Sequence, residues 1–149
     1  MLTETVQLGE GRNSSWSKQE VEDEIHNKLG TNKAIWVKRG LTRDYDGYGT
    51  RGHIDIVACF ASENVILFHD QLDPSHPDYE VSREVRATLE AAGDYEVIGV
   101  PAPTILRDEE DFVDYSYINH YIVNGAVILC AFNDPNAVSY THLTLPTIY

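Results

Sequence analysis

Two stretches of this sequence repeat each other at a spacing of about sixty residues, and that repeat limits the folds open to it. Val65-Ile66-Leu67-Phe68 returns as Val127-Ile128-Leu129-Cys130 at an offset of 62, and Asp73-Pro74 returns as Asp134-Pro135 at an offset of 61. In the first copy, Ser17-Lys18-Gln19-Glu20 has the form of a capping box. Val21, Ile25 and Leu29 follow at four-residue spacing, and Gly30 supplies a left-handed stop. This pattern predicts a helix over 18–29. A strand is expected at 33–38, then a Gly-rich loop over 39–51, then two strands at 52–60 and 64–69 joined by a short hairpin. In the second copy, Ser82 reads as the cap of a helix carrying Val85, Leu89 and Ala92 on one face and stopped by Gly93. A strand at 95–100 and a polar loop with the acidic run Asp108-Glu109-Glu110-Asp111 come next. Strands at 115–123 and 126–132 close the copy, with Asn124-Gly125 as a type I′ turn. A helix–strand–loop–strand–strand unit cannot bury its own faces and needs neighbours. The fold class is therefore α/β, with a propeller of such units as the leading architecture and a plain α+β sandwich as the alternative. Two units do not close a propeller, so further units are expected elsewhere.

Charge narrows the partners. The 149 residues carry 11 Lys and Arg against 24 Asp and Glu, a formal net charge of -13. That balance argues against nucleic acid or an anionic membrane surface, both of which call for a basic face, and is compatible with a cationic ligand. No apolar run reaches the roughly 18 residues of a membrane span. Met1-Leu2-Thr3-Glu4 lacks the basic and apolar regions of a signal peptide, so a cytoplasmic location is expected. Cys59 and Cys130 are the only cysteines; each sits in an apolar run and reads as a buried, reduced thiol rather than part of a disulfide framework.

Gly52-His53-Ile54-Asp55 is the most informative stretch. Read as a strand, it places His53, Asp55, Val57 and Cys59 on one face and Ile54, Ile56, Ala58 and Phe60 on a buried one. His53 and Asp55 are then about 6.6 Å apart along the chain. An ionised Asp is a bidentate acceptor for a guanidinium or amidinium group, and a His moves protons near neutral pH. Together they suit a reaction at a guanidinium carbon. The competing reading is a core His and Asp bonded to each other or to the backbone. Cys59, about 13 Å beyond Asp55 on the same strand, is too far away to be the nucleophile at that carbon.

A second polar cluster, His69, Asp70, Asp73, His76 and Asp78, has the residue types of a zinc or hard-cation site. Its spacing follows no recognised metal motif, and Pro74 and Pro77 mark an exposed connection, so a solvated loop is preferred. The acidic run from Asp108 to Asp114 likewise reads as a solvated loop. Trp16 and Trp36 read as core or edge packing. Tyr45 and Tyr48 are read either as pocket walls or as surface packing.

Arg39-Gly40-Leu41, Asp44-Tyr45-Asp46, Gly49-Thr50-Arg51-Gly52-His53-Ile54-Asp55 and Ala58-Cys59-Phe60 together resemble the agmatine deiminases. These belong to the guanidine-modifying pentein group and are close to the bacterial-type peptidyl-arginine deiminases. Thr3-Glu4, Arg12-Asn13, Ile35-Trp36, Asp78-Tyr79, Pro101-Ala102-Pro103, Ser116-Tyr117-Ile118-Asn119-His120-Tyr121, Asn124-Gly125, Phe132 and Asp134-Pro135 add to the resemblance, which covers 3–137. It implies a five-bladed α/β propeller with about two blades in this chain. It also implies hydrolysis of agmatine to N-carbamoylputrescine and ammonia through a Cys-amidino intermediate, without metal or other cofactor. By the same resemblance His53 is the catalytic His, and Asp55 is a catalytic carboxylate that clamps the guanidinium of a small-molecule substrate. The second clamping Asp and the nucleophilic Cys would lie outside these residues.

The last segment stands apart. Residues 138–147 resemble, residue for residue, one reading frame of a transposase adaptor used in preparing sequencing libraries. The expected division is therefore a partial deiminase domain at 1–137 and a non-native tail at 138–149. The resemblance leaves a peptidyl-arginine deiminase fragment open beside the agmatine deiminase, and two other functions stay open on the residues alone. One is a metal-dependent hydrolase or binding module using His53, Asp55 and the cluster from His69 to Asp78. The other is an acidic interaction module without catalysis.

Overall fold

The computed structural model describes residues 1–47, 49–135 and 137. The chain runs β1 (Leu2–Thr3), α1 (Glu4–Gln7), α2 (Lys18–Leu29), β2 (Trp36–Val37), β3 (Ala58–Ser62), β4 (Val65–Asp70), α3 (Asp78–Ala91), β5 (Glu96–Pro101), β6 (His120–Val123) and β7 (Ala126–Leu129). Single 3-10 turns lie at Thr42–Tyr45 and Ile54–Ile56. The expected tail at 138–149, and Tyr48 as a pocket wall, fall outside the described residues.

Helix α2 forms where local chemistry places it. The Ser17 hydroxyl accepts the Glu20 amide at 3.3 Å while the Glu20 carboxylate accepts the Ser17 amide at 2.7 Å. Gly30 closes the helix at φ 66°, a conformation that only Gly adopts at little cost. Ser17→Ala should lower the stability of α2 by about 1 kcal/mol. The measurable result is roughly fivefold faster amide exchange in its first turns, with α3 unaffected.

Helix α3 starts earlier than expected. It opens at Asp78, directly after Pro77, and its buried stripe is Val81, Val85 and Leu89. Ser82 is not its cap. Its hydroxyl lies buried inside the helix, donating to the His69 carbonyl at 2.9 Å and accepting the Gln71 amide at 3.0 Å. It thereby pins the end of β4 to the helix.

Pairing of the strands resets the boundaries of the repeat. β3 and β4 form an antiparallel hairpin, with Ala58 opposite Phe68, and β5 adds to β4 in parallel, from Val65 opposite Glu96 to Asp70 opposite Pro101. A parallel neighbour needs a crossover, here α3. The closed unit is thus strand, strand, helix, strand. β1 and β2, also parallel and linked across α1 and α2, are the back half of such a unit. The antiparallel pair β6 and β7 is the front half. The sequence pattern shows the same elements but starts each unit at the helix, one hairpin out of phase.

β4 is the centre of the core. Ile66 and Phe68 face Val81, Val85 and Leu89 of α3 together with Ile35, Val37, Leu41, Val57 and Ala58. Leu67, on the other face, packs with Val100, Tyr117 and Ile118. The β6–β7 hairpin is covered less well: Tyr121 is 68%, Ile122 46% and Ile128 60% exposed. At its turn only Gly125 has positive φ, 78°. That is the pattern of a type II turn, not of the expected type I′, which needs positive φ at Asn124 as well.

A second layer of the repeat lies in the side chains. Thr42 donates its amide and hydroxyl to the buried Asp78 carboxylate at 2.7 and 2.6 Å. Thr104, 62 residues on, does the same to the buried Asp134 at 2.9 and 2.7 Å. Asp134 is therefore the counterpart of Asp78. The sequence alignment with Asp73 is misplaced, since Asp73 instead closes a local turn on Ser75.

Candidate active site

The stretch 52–57 is not a strand. His53 is extended, Ile54–Ile56 form a 3-10 turn, and Val57 is helical at φ -102° and ψ -50° before β3 begins. Side-chain alternation is therefore lost. Val57 and Ala58 are both buried, Ile54 and Ile56 lie half-buried against the core, and Phe60 is 45% exposed. The along-strand spacings expected for His53, Asp55 and Cys59 do not apply. Instead His53 and Asp55 lie at the start and middle of one tight turn, His53 half-buried and Asp55 exposed.

The turn is mounted on Asp44, which the sequence does not single out as functional. The Asp44 carboxylate accepts the amides of Thr50 at 2.7 Å, Gly52 at 2.7 Å and His53 at 3.0 Å, and the Thr50 hydroxyl at 2.7 Å. Burial would raise its pKa, but these bonds from Thr50, His53 and Gly52 outweigh burial and hold the carboxyl below the usual carboxylate range. The approach is close enough to exclude side chains. A Cβ on Gly52 would meet the Tyr45 hydroxyl at 2.4 Å, and one on Gly40 would meet the Gly52 Cα at 2.4 Å. Tyr45 has a structural task here. Its hydroxyl accepts the Gly40 amide at 3.0 Å and donates to Thr5 at 2.9 Å.

Two further residues reach the turn from distant sequence. An Arg12 Nη2 lies 3.4 Å from His53 Nε2. Arg is only a donor, so in this long contact Nε2 is the accepting atom. Asn119 Nδ2 lies 3.4 Å from Asp55 Oδ2. Arg12 and Asn119 belong to short polar motifs in the sequence, but nothing in their local spacing connects them to His53 and Asp55.

The second cluster is not a solvated loop. His69, Asp70, His76 and Asp78 are buried and Asp73 is half-buried; His76 and Asp78 lie against each other, and His69 Nε2 has no hydrogen-bond partner among the described residues. His76 donates from Nε2 to the Val113 carbonyl at 3.0 Å and accepts the Asp78 amide on Nδ1 at 3.1 Å. Asp70 is paired with Arg83 and Arg86. His69 is kept neutral by burial and by neighbouring His76, its pKa pushed down to about 3. Among the described residues no three His, Cys, Asp or Glu come together as a metal site. The acidic run is solvent-exposed over 108–111 and tied from one side, with Arg43 bridging Asp108 at 2.6 Å and Glu110 at 2.8 Å. Of the two cysteines expected to be buried, Cys130 is exposed and Cys59 half-buried; partial burial pushes the Cys59 thiol up to about 11, away from the thiolate a nucleophile needs. Among the described residues no helix is long and apolar enough to cross a membrane.

Hairpin, helix and parallel strand, with polar loops carrying His53 and Asp55 at the strand ends, make up the mixed α/β fold of the deiminases. A substrate-bound agmatine deiminase of C. jejuni superposes with a TM-score of 0.81 at 25% identity, over 93% of this chain and 40% of that one. The chain belongs to the Porphyromonas-type peptidyl-arginine deiminase family, whose model matches residues 1–146. A Streptomyces avermitilis protein provisionally named agmatine deiminase is 57% identical over 142 residues, 91% of this chain and 41% of its own length. The agmatine deiminase of Medicago truncatula is 35% identical over 157 residues, 90% of this chain and 41% of its own. The chain thus spans about two fifths of the curated relatives it matches.

Proposed function

We propose that this chain is an internal part of an agmatine deiminase, which hydrolyses agmatine to N-carbamoylputrescine and ammonia in the cytoplasm. The observation that carries the reading is the single rigid turn presenting a half-buried His53 and an exposed Asp55. Asp55 accepts the cationic guanidinium through paired N–H bonds. A cysteine thiolate from the remainder of the full-length protein attacks the guanidinium carbon, and the C–N bond to one NH₂ breaks. His53 delivers the proton that lets this nitrogen leave as ammonia. It then takes a proton from the water that attacks the amidino carbon, so that the thiol departs and the ureido product forms. The net acidity of the chain favours approach of a dicationic substrate. In the same reading, residues 1–137 contribute about two of five propeller blades. A strand and helix from outside these residues cover β6 and β7, as β5 and α3 cover β3 and β4. Residues 138–149 are a non-native tail.

The test is ammonia and carbamoylputrescine release. The full-length protein should turn over agmatine and leave peptidyl-arginine untouched, while the 149-residue chain alone should release neither product. No turnover of agmatine by the full-length protein would refute the substrate. Sustained turnover by the short chain, abolished by His53→Ala, would refute its being a part.

A further inference from the structure

We infer that Asp44 is the positioning residue for His53. It acts on the reaction only through the backbone of 50–53, and its catalytic meaning rests on the deiminase reading above. Residues 50–53 direct their amides at this one side group or its own carbonyl. Thr50, Gly52 and His53 bond the carboxylate, and the Arg51 amide donates to the Asp44 carbonyl at 2.7 Å. The chain adopts a path there that it would not take unaided. Arg51 has φ 72° and Gly52 φ 90°, both in the region disfavoured for side-chain-bearing residues. A Cβ on Gly49 would lie 2.1 Å from the Asp44 carbonyl oxygen, so the strand of loop entering this wrap has no slack. The bond to the His53 amide is the last of the set, and the imidazole begins three bonds further on. Asp44 is only 7% exposed and sits on the 3-10 turn Thr42–Tyr45. Its neighbours are fixed on both sides. Thr42 is held by Asp78, and Arg43 by Asp108 and Glu110. Asp44 is therefore a stationary anion around which the loop is wound, and the winding sets where the His53 side chain leaves the backbone and so the space its ring can occupy. Asp44 touches neither substrate nor reacting atoms.

The experiment uses the full-length protein with histidine-selective ring labelling. In Asp44→Asn the side chain keeps its size but loses one acceptor oxygen and its charge. The expected result is a fall in kcat for agmatine of about a hundredfold, as a displacement of about 1 Å costs. KM should stay within about threefold. The His53 ring signal should shift or broaden while the other histidines keep theirs, a change that a mere loss of folded protein does not produce. Should Asp44→Asn fail to fold, Thr50→Val removes only the hydroxyl bond, and must move the His53 signal selectively. A folded Asp44→Asn variant with kcat within threefold of wild type, or an unmoved His53 signal in whichever variant folds, overturns the inference. If the wild type lacks agmatine turnover, the deiminase reading fails by itself, and the His53 signal still decides whether Asp44 positions the ring.

Discussion

His53→Ala in the full-length protein should lower agmatine turnover by about a thousandfold, the scale of a lost general acid and base. On the proposed deiminase reading the loss falls on kcat, because the imidazole is assigned the proton transfers both when ammonia leaves and when water enters. KM should change little, since Asp55 remains to accept the guanidinium. The effect is also separable from folding. It is the backbone amide of His53 that bonds Asp44, not the ring. Alanine keeps that amide, so the wrapped loop stays intact and thermal unfolding should match wild type. Among the described residues, the polar contact that the ring gives up is the 3.4 Å approach of Arg12. Steady-state ammonia release checks the outcome. Activity within tenfold of wild type would remove His53 from the chemistry.

The second large effect is on stability. Phe68→Ala should cost about 4 kcal/mol, as truncation of a fully buried aromatic does. Phe68 has 0% exposure and stands at the crossing of three elements. It pairs with Ala58 of β3, faces Val81, Val85 and Leu89 of α3, and carries the Arg86 guanidinium 5.1 Å from its ring centroid. Neighbours anchored to a sheet and a helix cannot both collapse into the space left. Arg86, meanwhile, loses the ring face that helps hold it beside Asp70. Urea unfolding of the full-length protein reads the change, with Phe60→Ala, 45% exposed on the adjacent strand, as the comparison. A loss below about 1.5 kcal/mol for Phe68→Ala would mean that β4 is not the centre of the core.

What the sequence discloses and what it conceals follow from the range of the interactions involved. Helix α2 is legible to the residue because its start and stop are made by Ser17, Glu20 and Gly30, all within or beside the helix itself. β4 and β5 are legible because apolar runs of their length suit buried strands. The start of α3 is misread because Ser82 has the right chemistry for a cap, yet the His69 carbonyl takes its hydroxyl. Pro77, the acidic Asp78 and the apolar Val81, one turn before Val85, were the signals for the true start. The strand expected at 52–60 fails for a similar reason. Ile54, Ile56 and Val57 favour extended backbone, but Asp44, eight residues before Gly52, winds the chain into a turn. His53 and Asp55 are recognisable by type and context. Arg12 and Asn119, which reach them from 41 and 64 residues away, become visible only once the chain is folded.

The paired Thr–Asp ties have a consequence for how such a protein grows. Each tie crosses from one unit to the next: Thr42 after β2 reaches Asp78 at the start of α3, and Thr104 after β5 reaches Asp134 after β7. The stretch from β3 to Thr104 therefore carries an eye for the unit before it and a hook for the unit after it. A segment bounded in that phase keeps both fastenings together with the sheet they serve. A copy cut at the helix instead strands β5 from the hairpin it completes.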